Sequence, residues 1–112
     1  MNFDQIKFGI EVETHLSMDN PTRVGGYYSP APVPYLPAGW TVGSDSSIMA
    51  IRDGRLVAPC MAGRKAAEFA SPKLVGEEGL KEAHAAVQTI KEQGARINQS
   101  CGVHVTITFP KD

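Results

Sequence analysis

Two stretches of this chain alternate strictly between apolar and polar positions, and they lie at opposite ends of it. In "FGIEVET", residues 8 to 14, Phe8, Ile10 and Val12 fall on one side of an extended backbone and Gly9, Glu11 and Glu13 on the other. This predicts a strand from about Ile6 to Leu16. In "SCGVHVTITF", Val103, Val105, Ile107 and Phe109 form an apolar face, and Gly102, His104, Thr106 and Thr108 a polar one, so the chain also ends in a strand. Between them one segment changes period. Leu80, Ala83, Val87 and Ile90 recur at three- and four-residue intervals, predicting a helix over about 76–93 with an apolar stripe. Glu77 and Glu78 suit its first turn and Gly94 the position just past its end. His84, near Lys81 and Glu92, reads as a solvated or edge histidine.

The remaining elements are shorter. Apolar runs at Ile48–Ile51 and Leu56–Ala58 flank Asp53-Gly54, a pair preferred by tight hairpin turns. "KAAEFAS", residues 65 to 71, reads as a further strand closed by Pro72. Residues 17–40 hold five of the eight prolines and the Gly25-Gly26 pair, a composition that argues against both ladder and helix. With Tyr27, Tyr28, Tyr35 and Trp40 in it, this stretch is either a partly ordered flap or a loop packed down by its own aromatics. The order strand, long loop, hairpin, strand, helix, strand predicts one α+β domain over residues 1–112. Its sheet is expected to be mostly antiparallel, with one face covered by the single long helix.

Composition narrows the function classes. At 112 residues the chain has room for one core, and eleven basic against twelve acidic residues leave a net charge of −1. That balance gives no support for a nucleic-acid or membrane-surface partner. No apolar run reaches the roughly 18 residues of a membrane span, and "MNFDQIKFGIEVE" lacks the apolar centre of a signal peptide. A cytoplasmic protein is expected, with Cys60 and Cys101 as thiols that pack like small hydrophobes, a disulfide between them being the alternative.

The chemistry lies on the polar sides of the strands. Glu11 and Glu13 sit about 7 Å apart on one strand face, and at an effective dielectric near 20 their repulsion is about 2 kcal/mol. Solvent screens that cost on an open face; an enclosed face needs a cation to offset it. If the strands share a sheet, Glu68 of "AEFAS" and His104 join them on one surface, and Asp45 in "GSDSS" is within reach. Three carboxylates and an imidazole suit Mg²⁺ or Mn²⁺. The alternative is an ordinary solvated sheet face that carries acids.

Four segments, "FGIEVET", "GWTVGSDSS", "AEFASPKLVGEEGL" and "INQSCGVHVTI", resemble in order and spacing the motifs of the amidoligase family, relatives of glutamine synthetase and glutamate–cysteine ligase often found in phage-associated gene sets. The resemblance covers the family's N-terminal half and implies half of the glutamine-synthetase catalytic fold. It implies an ATP-dependent ligase that joins a carboxylate to an amine. Glu11, Glu13, Glu68 and His104 would be the catalytic, metal-holding set beside the ATP phosphates, and Asp45, Ser47 and Thr106 would hold substrate. Thr106 stands where the family usually has a second histidine. Members generally continue past this last strand, which implies completion of the site by self-assembly or by a second protein chain. The competing reading is a non-catalytic, amidoligase-like binding or structural module, such as a phage component.

Overall fold

A computed structural model of the protein describes residues 2–26, 28–44, 50–52, 55–57, 64–97 and 101–109. Among these residues the chain forms strands β1 (Lys7–Ser17), β2 (Ala31–Pro32), β3 (Thr41–Gly43), β4 (Ala50–Arg52), β5 (Arg55–Val57), β6 (Arg64–Ala70) and β7 (Leu74–Val75), then helix α1 (Gly76–Glu92) and strand β8 (Val103–Thr108). The architecture is α+β with a mostly antiparallel sheet and one α-helix, as the alternation and the single helical period predict.

β1 is the spine. Its C-terminal part pairs with β6, from Glu11 opposite Ala70 to Ser17 opposite Arg64, and Lys7 and Phe8 pair with β7 beyond the end of β6. β8 lies along the other flank, with Glu11 opposite His104 and Gly9 opposite Thr106. Outward from β6 come β3 and then β2. β4 and β5 form a separate hairpin in which Arg52 faces Arg55. The Asp53-Gly54 turn expected from the sequence lies outside the described residues.

The apolar side of β1 is the floor of the core. Phe8, Ile10, Val12 and Leu16 pack there with Val42, Ala67, Phe69 and Leu74, and the helix adds Ala83, Ala86 and Ile90. Thr14 shares this buried side because its hydroxyl donates to the Ala67 carbonyl at 2.9 Å, which satisfies the one polar group that burial would otherwise penalise. The helix stripe differs from the expected one. Its buried line is Gly79, Ala83, Ala86 and Ile90, whereas Leu80 and Val87 face outward. Small residues let α1 approach closely: a Cβ at Gly79 would lie 2.9 Å from Leu74 Cβ. The helix therefore sits over β1 and β7 but does not cover β8, whose apolar side chains remain half-exposed or more.

The 17–40 segment departs from expectation in one respect, since Ala31 and Pro32 do form a short ladder with β3. This is possible because β2 is the sheet's outermost strand on that flank, where a proline needs no ladder donor on its open side. Val33, Leu36 and Trp40 of the same segment are buried in the core. Its start is clasped at the other end by Lys65 Nζ, which donates to the carbonyls of Asn20 and Thr22 at 2.9 and 2.8 Å. Asn20 Nδ2 in turn donates to the Gln93 carbonyl at the end of α1.

Tyr35 is a probe of this packing. Burial raises its phenol above the ordinary value, an effect partly opposed by its hydrogen bond with Thr22 Oγ1. A folded pKa above the unfolded one means that the neutral phenol contributes stability fully below the unfolded pKa, and that this is lost as pH rises through the folded pKa. An alkaline absorbance titration is expected to show a late-ionising tyrosine component from Tyr35. That late component should disappear in Tyr35→Phe.

Candidate functional site: the acidic face of the sheet

Opposite the core, the odd-numbered residues of β1 line the second face, and the ladder registers fix what stands beside them. One row across the sheet reads Gly43, Glu68, Glu13, because Gly43 is opposite Glu68 and Glu68 opposite Glu13. Gly102 continues it, its carbonyl accepting from Glu13 N at 3.0 Å. The next row reads Thr41, Ala70, Glu11, His104. Residues directly opposite have Cβ atoms about 5 Å apart, so Glu68, Glu13, Glu11 and His104 form one contiguous block that zigzags across β6, β1 and β8.

Their surroundings differ. Glu13 is 6% exposed, held between strands on both sides. Glu68 is half-buried, and Glu11 and His104 are exposed. The His104 imidazole crosses the block diagonally and brings Nε2 to 3.6 Å from Glu13 Oε1. The two groups lie beside Gly102, where a Cβ would be in ordinary contact with Glu13 Oε1 at 3.6 Å and His104 Nε2 at 3.7 Å. Among the described residues no three His, Cys, Asp or Glu side chains converge on one coordination point. Asp45 and Ser47, expected at this surface, lie outside the described residues. Thr106 lies on the same face opposite Gly9, one row beyond His104.

Beside the block lies an open groove of about 340 Å³, lined by Glu11, Glu68, Thr41, Gly43, Ser44 and Pro30. Its described lining contains carboxylates, a hydroxyl pair and backbone, but no Lys or Arg. Pro30 is brought over the sheet by Gly25, whose N–H donates to Val42 O and whose carbonyl accepts from Ser44 N. No side chain fits at Gly25, where a Cβ would collide with Ala31 N, Ser29 O and Pro30 C. Gly25→Ala is therefore expected to destabilise the protein by about 2 kcal/mol or more, measured by urea unfolding. Gly26→Ala, where a Cβ meets nothing within 4 Å, should be nearly neutral.

Two features were not anticipated. His15 continues the alternation of Glu11 and Glu13 and is wholly buried, with Ala66 opposite it on β6 and Arg96 bridged to its backbone on the other side. Period-two spacing alone places it on the acidic face. Arg64 and Lys65 at the start of β6 bond to backbone: Arg64 Nη2 donates to the carbonyls of His15 at 2.7 Å and Gly94 at 2.9 Å.

Comparison with known proteins gives one match. A family model described as "putative amidoligase enzyme" matches residues 28–109. The matched stretch includes Glu68, His104 and Thr106, while β1 with Glu11 and Glu13 precedes it. Comparisons with curated proteins and with solved structures found no match.

Proposed function

The chain belongs to the amidoligase family, and we propose from that premise that the acidic sheet face is the Mg²⁺- or Mn²⁺-dependent ATP site of a carboxylate–amine ligase. The observation that supports this most is the register that gathers Glu11, Glu13, Glu68 and His104 into one block beside a groove. The donor set fits a hard divalent ion, with three carboxylates and a single imidazole. Glu11, Glu13 and Glu68 would hold it, with His104 alongside. When bound, the ion would offset the charge of the transferring phosphoryl group.

In the proposed reaction a substrate carboxylate oxygen attacks the γ-phosphorus of ATP while the bond to ADP breaks, giving an acyl phosphate. The amine nitrogen then attacks the acyl carbon, phosphate leaves, and the amine proton passes to a base. Thr41, Ser44 and Pro30 would shape the groove around the acceptor and limit water at the acyl phosphate. Asp45, Ser47 and Thr106 would orient substrate. A likeness to half of the glutamine-synthetase catalytic fold is part of the same proposal. No helix among the described residues is long and apolar enough to cross a membrane.

One observation favours a second reading, a non-catalytic binding module. The groove's described lining holds no Lys or Arg for phosphate oxygens, and Arg64 and Lys65 bond to backbone carbonyls. Calorimetric titration of the protein with ATP in Mg²⁺ or Mn²⁺, beside Glu11→Gln/Glu13→Gln, tests the site. Metal-dependent binding lost in the variant supports the ligase reading. Absence of binding by folded protein favours the second.

A further inference from the structure

β8 has an exposed edge. Among the described residues it pairs only with β1, and Gly102 O accepts from Glu13 N. In an antiparallel ladder the residues that bond to the neighbour alternate with those that point their backbone groups away. Gly102, His104, Thr106 and Thr108 therefore bond inward to β1, and Val103, Val105 and Ile107 present N–H and C=O groups outward. Residues 101–109 contain no Lys, Arg, Asp or Glu, so the edge lacks the charges by which exposed strands usually resist pairing. Behind it lies an apolar groove of about 430 Å³ between α1 and β8, lined among others by Phe3, Leu80, Val105, Ile107 and Phe109. Val103, Val105 and Ile107 of β8 and Phe109 just after it are between 51% and 60% exposed.

We propose that β8 is the interface of a two-fold dimer, in which β8 of a second copy adds antiparallel to the free edge and the two sheets become one. The geometry restricts the register. Only an arrangement that keeps apolar side chains opposite apolar ones preserves both faces, because a shift of one residue reverses them. Centring the two-fold on Thr106 places Val105 opposite the second copy's Ile107 and Val103 opposite its Phe109, which uses all four apolar residues. On the polar face His104 meets the second copy's Thr108, so both acidic blocks lie on one continuous surface. A contact about 20 Å long, covering the strand edge and the half-exposed side chains above and below it, removes on the order of 1,000 Å² from solvent in total. That is the lower limit for a specific interface. Among the described residues α1 packs on β1 and β7 rather than along the β8 edge.

The test reads mass and cross-linking, independently of whether the acidic face binds nucleotide. Size-exclusion chromatography with light scattering is expected to give twice the chain mass of 12.0 kDa, falling to one with Val105→Lys at unchanged circular dichroism. In a Cys60→Ser/Cys101→Ser background, Thr106→Cys should form a disulfide-linked dimer on mild oxidation, because the two-fold brings its Cα atoms to about 4.5 Å in a non-hydrogen-bonded pair. Thr108→Cys in the same background should form several-fold less. A monomeric wild-type protein at tens of micromolar overturns the proposal. So does a dimer that Val105→Lys leaves intact, or equal cross-linking at both positions.

Discussion

Mg²⁺-ATP at a hundred times its dissociation constant is expected to stabilise the wild-type fold by about 2.7 kcal/mol, and to leave Glu11→Gln/Glu13→Gln unshifted. For a chain of this size that is a rise in the unfolding midpoint of roughly 10 °C, easily read by circular dichroism. The dependence of that shift on Glu11 and Glu13 follows from the block's charge. Glu13 is nearly enclosed, with Glu68 directly opposite and Glu11 two residues away on the same face. Like charges opposite one another on a sheet are unfavourable, so a divalent ion brought in with the nucleotide gains more here than on an open surface. Removing both β1 charges removes that attraction but keeps the shape and the hydrogen-bonding groups. Single substitutions should divide the effect, each lowering affinity at least about 10-fold to 100-fold. An equal shift in wild type and variant would place the nucleotide elsewhere on the molecule, and no shift in either would remove ATP from the reading.

The parts of this site that sequence made legible are those governed by a short period. Alternation assigned Glu11, Glu13 and His104 to polar strand faces, and the ladder registers then placed those faces side by side. The same alternation also places His15 on that face, where it is wholly buried. Periodicity did not say what covers a face. The apolar side of β8 looked like core and is more than half-exposed, because α1 sits over β1 and β7. Hydrophobicity found only half of the helix stripe, Ala83 and Ile90, which are buried as expected. Leu80 and Val87 are the larger residues, but close approach of helix to sheet selected Gly79, Ala83 and Ala86. The β2 ladder was hidden by Pro32, which is harmful in a central strand but harmless at an edge.

Trp40→Ala is expected to cost about 3–5 kcal/mol of unfolding free energy, a large share of the roughly 5–15 kcal/mol that holds a domain together. Trp40 is 1% exposed and is the chain's only tryptophan. Its ring packs in the core, and its Nε1 donates to Glu82 Oε2 on α1 at 2.9 Å, tying the end of the 17–40 segment to the helix. The backbone around it is equally constrained. Gly39, at φ +94°, turns where a Cβ would lie 2.9 Å from Pro72 Cβ, and Thr41 opens β3 immediately afterwards. Loss of the indole therefore removes buried area, one hydrogen bond and the anchor of a strand that lines the groove. Trp40→Phe should retain most of the apolar contribution and lose about 1 kcal/mol for the bond to Glu82. Urea unfolding followed by circular dichroism measures both. The ratio of the two losses also distinguishes a docked segment from a flap. If residues 17–40 opened freely, Trp40 would leave the core with them, and Trp40→Ala would cost less than about 1 kcal/mol, close to the value for Trp40→Phe.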